Sequence, residues 1–135
     1  MTYDEIKKLV SENNKSTDFS NEFVICLIWK ESGFDPLVKN TASSATGLMQ
    51  MTKGAVDMVN KCTPPGIHFE HDEMTDAAKN IQCGTLYLDI AKNSMAGVDI
   101  SFGTGKGYSK SIKACESCLR SDSAHPMTAL HKIHK

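Results

Sequence analysis

No apolar run in this 135-residue chain approaches the ~20 residues that a helix needs to cross a bilayer, so membrane insertion by a spanning helix is excluded. The opening M-T-Y-D-E-I-K-K lacks the charged-then-apolar order of an export signal, and simple secretion is not encoded there. Basic residues are not in excess. Fifteen Lys plus Arg face sixteen Asp plus Glu, a formal net charge of -1, which leaves phosphate-backbone binding without its electrostatic source and argues against nucleic acid as a partner. No segment recurs at a period of about 20 to 50 residues, which excludes a solenoid. What is present is ordinary for a packed core: 40% hydrophobic and 23% charged residues. The length suits one domain over residues 1–135, able to bury roughly two-thirds of its unfolded surface.

Cysteine, by contrast, is plentiful. Five in a chain of this length point to an oxidising compartment. Cys26 lies inside the apolar run F-V-I-C-L-I-W and reads as a buried free thiol, leaving Cys62, Cys83, Cys115 and Cys118 for two disulfides in three alternative pairings. A zinc finger from Cys115, Cys118, His131 and His134 is disfavoured, because two residues between the histidines is one short of the spacing that sets both on one helical face. Pro126 also interrupts the span between the pairs, which lacks a buried aromatic. H-F-E-H at 68–71 fits neither H-E-x-x-H nor H-x-x-E-H, and with Asp72 and Glu73 it reads as a solvated polar loop. The glycines at 103, 105 and 107 miss G-x-G-x-x-G, and Ser32, Ser43 and Ser44 sit in no G-x-S-x-G elbow. Neither a metal nor a cofactor is expected.

The periodicity predicts a mainly α domain of about five or six helices with at most a short hairpin. Ile6, Leu9 and Val10 mark an amphipathic helix over 3–13. A second helix begins at Ser20 as N-cap and is apolar nearly all round, hence central. Gly33 and Pro36 terminate it, and an irregular loop leads to T-G-L-M-Q-M at 46–51. A third helix carries Ala55, Val56 and Val59; residues 62–73 form a connection through Pro64-Pro65-Gly66. The fourth, capped by Thr75 or Asp72, places Ala78, Ile81, Leu88 and Ala91 on one face, with Gly84 permitting a close helix crossing. A tight glycine loop at 102–108, a further helix to about residue 119 and a short last one at 127–134 complete the chain.

One carboxylate is oddly placed. Glu31 ends the apolar helix, with Leu27 at i-4 and Ile28 at i-3, so its carboxyl shares a flank with core residues, where desolvation favours the protonated acid. A carboxylic acid still protonated near neutral pH can protonate the leaving oxygen of a glycosidic bond, and the helix break after it opens room for a ligand.

E-S-G-F-D-P, then T-A-S-S-A-T-G-L-M-Q-M, then N-I-Q-C-G-T-L-Y-L resemble, in order and spacing, three signature segments of the soluble lytic transglycosylase and goose-type lysozyme superfamily. The resemblance spans roughly residues 20–118 and implies a lysozyme-like single domain. It implies cleavage of the β-1,4 bond between N-acetylmuramic acid and N-acetylglucosamine in peptidoglycan glycan strands. Glu31 is then the catalytic acid and Ser32 its neighbour; Thr41 stands where the family carries a serine hydroxyl, and Gly47, Leu48, Met49 and Gln50 match the segment that lines the sugar cleft. Asn80, Gly84 and Tyr87 match the helix that buttresses it. Where the family shows Y-N-A-G this chain has F-G-T-G, so Phe102 replaces a tyrosine that helps to position the acid, and Tyr108 is the candidate to stand in for it. A non-catalytic sugar-binding module on the same fold is the alternative, and Phe102 is the feature that favours it.

A two-carboxylate hydrolase needs a second acid about 5 to 9.5 Å away, for which Asp35, Asp57 and Asp99 are available. A lytic transglycosylase does not: the glutamate protonates the leaving oxygen, then draws the proton from the muramic acid 6-hydroxyl as a 1,6-anhydro ring closes. The variant loop, small size, cysteines and missing signal peptide resemble the muramidase toxins that bacteria inject into rivals through type VI secretion. That likeness implies action in the periplasm of a target bacterium, a cognate immunity protein that occludes the cleft, and otherwise a monomer.

Overall fold

The computed structural model describes residues 1–93, 108–122 and 124–132. Among them are six α-helices: α1 (Tyr3–Asn13), α2 (Asn21–Ser32), α3 (Lys53–Cys62), α4 (Ala77–Lys92), α5 (Tyr108–Ser121) and α6 (Pro126–Leu130), with a 3-10 turn at His71–Glu73. β structure among the described residues is confined to two isolated antiparallel bridges, Lys39 to Thr46 and Thr46 to Met51. No helix among them is long and apolar enough to cross a membrane.

The starts of the first three helices are written locally. Thr2 accepts the Glu5 amide at 3.2 Å while Glu5 Oε1 accepts the Thr2 amide at 2.9 Å, a closed capping box. Ser20 accepts the Phe23 amide and Thr52 the Ala55 amide, each satisfying a donor that the first helical turn leaves over. For α4 the cap is Asp76, which accepts the Lys79 amide at 3.0 Å, and not Thr75 or Asp72. Asp72 is used in the 3-10 turn, and the Asp76 amide still closes on the Glu73 carbonyl at 2.9 Å, so helical geometry begins only beyond it.

Phe23 through Ile28 are six successive buried residues, which makes α2 the central element. It packs against α1 on one side and α5 on another, while α4 packs against α1 and α3. Each fully buried Leu or Ile contributes about 1.5–3 kcal/mol, so a helix buried all round is held by packing more than by its own propensity. α3 is one-sided: Ala55, Val56 and Val59 are buried, and Asp57 and Met58 face solvent. The connection after it is pinned by Asn60, whose side chain donates to the Phe69 carbonyl and accepts its amide. α5 begins at Tyr108, the last residue of the expected glycine loop, and α6 ends at Leu130, short of the expected residue 134.

The cysteine reading is overturned. Cys26 is joined to Cys115, with Cα atoms 6.1 Å apart, and Cys62, Cys83 and Cys118 are free thiols. Burial at Cys26 is compatible with a cystine, which is itself apolar, and the α2–α5 contact brings Cys115 opposite. Cys62 is exposed on α3 and Cys83 is enclosed on α4. Cys115 is therefore not available to the zinc set considered above, whose His134 lies outside the described residues.

Candidate active site

The end of α2 is an abrupt stop. Gly33 adopts left-handed geometry (φ 61, ψ 31) and its amide returns to the Trp29 carbonyl at 2.9 Å. Phe34 follows, also at positive φ (70), a conformation that costs a side-chain-bearing residue about 1–2 kcal/mol. Burial of its ring edge-on to Trp29, at 5.0 Å between centroids, offsets that cost. Glu31 sits half-buried in the last turn, above the fully buried Leu27 and Ile28. Ser32 is buried and its hydroxyl donates to the Ile28 carbonyl at 3.0 Å, so it is engaged with its own helix.

The following loop folds on itself. The Gly47 amide donates to the Val38 carbonyl at 2.8 Å, and Thr46 and Met51 exchange backbone hydrogen bonds at 3.1 and 3.0 Å. Gln50, at φ 51, directs its side-chain amide to the Val38 and Gly47 carbonyls at 3.1 and 2.9 Å. Gly47 has φ 79, and a Cβ there would strike the Met74 carbonyl and the Asn80 side chain. Only glycine meets both conditions.

Three groups outside the loop hold it. Asn80, fully buried on α4, accepts the Met49 amide at 2.9 Å and donates to the Thr46 and Met74 carbonyls at 3.0 and 2.9 Å. The Met49 side chain fills the space over Gly84, so that glycine accommodates a loop side chain. His71 Nε2 lies 2.7 Å from the Ser44 carbonyl and 3.0 Å from the Met51 carbonyl. Two carbonyl partners require that nitrogen to carry the proton and donate. Residues 68–71 are thus not simply a solvated loop: His68 does pair with Glu70 in solvent, at 2.7 Å, but His71 braces the loop. Its polar neighbours hid this role in the sequence.

The other expected site residues are scattered in burial. Thr41 is exposed on the loop; Leu48 and Met49 are fully buried, with side chains packed inward; Gln50 is half-buried. Tyr87 is half-buried on α4 against the core. Tyr108 is the first residue of α5, and Phe102 lies outside the described residues, as does Asp99. Of the other carboxylates considered as a second acid, Asp35 is exposed and accepts the Leu37 amide at 2.9 Å, closing its own turn. Asp57 is on the exposed face of α3.

Glu31 thus stands half-buried at a broken helix end, and the loop that follows is anchored to α4. The profile of the transglycosylase SLT domain matches residues 8–115, and the chain belongs to that family. The fold is similar to that of the 70 kDa soluble lytic transglycosylase from Escherichia coli, with a TM-score of 0.56 and 21% identity, over 96% of this chain and 20% of that one. The 70-kDa soluble lytic transglycosylase solved in complex with bulgecin A aligns with a TM-score of 0.59, again at 21% identity and over 96% and 20% of the two chains. The chain therefore spans about a fifth of the length of these solved proteins. No curated protein sequence matches it.

Proposed function

We propose that the domain cleaves the β-1,4 bond between N-acetylmuramic acid and N-acetylglucosamine, with Glu31 as the acid and then the base. The observation that carries this reading is the position of Glu31: half-buried on the last turn of α2, on the flank of Leu27 and Ile28, where the helix stops. A carboxyl held at the point where the helix stops suits a group that must give up a proton and take one back. The engagement of Asp35 in its own turn and the outward position of Asp57 support the internal 6-hydroxyl as attacking group in place of a water activated by a second carboxylate. In balanced form, the Glu31 proton passes to the leaving N-acetylglucosamine oxygen. The 6-hydroxyl then attacks the anomeric carbon as its own proton returns to Glu31, giving a 1,6-anhydro end.

Mass spectrometry of digested sacculi tests this directly. Anhydro ends are expected, and Glu31→Gln, which keeps the shape but has no proton to deliver, is expected to lower the rate by about 10²-fold or more. Reducing ends would replace the proposed chemistry with hydrolysis. Absence of cleavage by the native chain would leave a sugar-binding module.

The Cys26–Cys115 disulfide supports a place of action outside the reducing cytosol. By this reading the chain acts in the periplasm of a rival bacterium, restrained in its producer by an immunity protein. Directed to the periplasm of a test bacterium it is expected to cause lysis, and retained in the cytosol it is not; equal effects in the two compartments would reject this assignment.

A further inference from the structure

Three of the five cysteines are carried by α2 and α5, two of them on α5 lining one cavity. Cys115 and Cys118 are one turn apart on α5, and Cys115 is bonded to Cys26 of α2. Side chains three apart on a helix share a face and lean toward its N-terminus, with Cβ atoms about 5–6 Å apart, so Cys118 is presented toward the Cys115 sulfur. Both line a cavity of about 150 Å³ between α5 and α6, together with Ala129 and Lys132, while Cys26 does not. A second cavity, about 220 Å³, adjoins it through Cys118, Ala129 and Lys132. Cys118 is partly exposed, whereas Cys115 is 3% exposed and Cys26 fully buried. The remaining thiols are elsewhere: Cys62 exposed on α3, Cys83 enclosed on α4.

We propose that Cys118 and the Cys26–Cys115 disulfide form an intramolecular thiol–disulfide exchange site. The Cys118 thiolate attacks Cys115 Sγ; the bond from Cys115 to Cys26 breaks as a bond from Cys115 to Cys118 forms. The electron pair departs on Cys26 Sγ, which takes up the proton that Cys118 released. One disulfide and one thiol stand on each side of the step, so neither oxidant nor reductant is consumed. Cys115 is the sulfur attacked because it, and not Cys26, shares the cavity with Cys118.

The consequence is mechanical. α2, which carries Glu31, loses its covalent tie to α5, and the new bond lies within α5. A disulfide brings its Cβ atoms to about 3.5–4.5 Å, closer than an undistorted helix turn places them, so the last turns of α5 must tighten to form it. The tie between helices is the starting form of the oxidised chain. The exchange rests on the placement of the three cysteines and stands whether or not the domain cleaves glycan.

The test uses the full oxidised chain carrying Cys62→Ser, which removes the exposed thiol, held without reductant at about pH 8.5, near the ordinary thiol pKa. Samples are quenched in acid, alkylated in denaturant and mapped by non-reducing peptide mass spectrometry. A Cys115–Cys118 linkage growing with time, with Cys26 alkylated in step, is expected. Adding Cys118→Ser, or Cys118→Ala if the serine variant does not fold, is expected to leave Cys26–Cys115 intact. The proposal is overturned if the starting linkage persists alone with Cys118 fully alkylated, if Cys26 is released equally without Cys118, or if Cys26–Cys118 forms instead.

Discussion

The Asn80 side chain accepts the backbone amide of Met49 at 2.9 Å across 31 residues of sequence, and its own amide group donates to the carbonyls of Thr46 and Met74. One fully buried side chain thereby sets the height of the site loop above α4. Removing it strands the Met49 amide, and each buried group left unsatisfied costs about 1–3 kcal/mol. Asn80→Ala is expected to destabilise the chain by about 3 kcal/mol in urea unfolding. Asn80→Asp keeps the acceptor but loses both donors and sets carboxylate oxygen against two carbonyls, so it is expected to be no milder. A loss below about 1 kcal/mol in both would show that the loop holds its shape without this anchor.

Met49 and Gly84 make a second, purely steric pair. A methyl group at Gly84 improves helix propensity by about 1 kcal/mol but meets the Met49 thioether. Overpacking of this kind costs about 1–3 kcal/mol, so Gly84→Ala is expected to be neutral to destabilising despite its better propensity. Shortening the partner should restore the gain. In a double-mutant cycle, Gly84→Ala with Met49→Ala is expected to lose less stability than the sum of the single changes, by about 0.5–3 kcal/mol. Strict additivity would mean that the methyl group is accommodated some other way.

Burial pushes the Cys83 thiol from an ordinary 9.0 up to about 12. Below pH 9 folded and unfolded chains both keep the proton, and the group contributes no pH dependence. Between about 9 and about 12 only the unfolded chain ionises, so unfolding releases a proton and stability falls as pH rises. The slope is at most about 1.4 kcal/mol per pH unit. Urea midpoints across the lower half of that window are expected to fall more steeply for the native sequence than for Cys83→Ala. Parallel curves would contradict it.

Much of the architecture was legible along the chain because it depends on neighbours three or four residues away. The run from Phe23 to Trp29 has no polar stripe, and a helix without one is surrounded; α2 is the central element. Gly33 marked the helix end that carries Glu31, and the structure adds that Phe34 joins it at positive φ. The cap of α4 was misplaced because Asp72, Thr75 and Asp76 have the same capping chemistry, and only the hydrogen bond from the Asp76 amide to Glu73 decides among them. His71 was grouped with its exposed neighbours, although its ring reaches carbonyls 27 and 20 residues away.

By itself the sequence determined the helical class, the order of the elements and a lone glutamate at the close of an apolar helix, since hydrophobic period, capping residues and helix breakers act over a single turn. Tertiary structure alone decided that Cys26 meets Cys115 across 89 residues, that Leu48 and Met49 turn inward, and that Asn80 receives the loop. Those outcomes depend on which helix faces come together. Burial admits a free thiol and a cystine equally, and only the meeting of α2 with α5 selects between them.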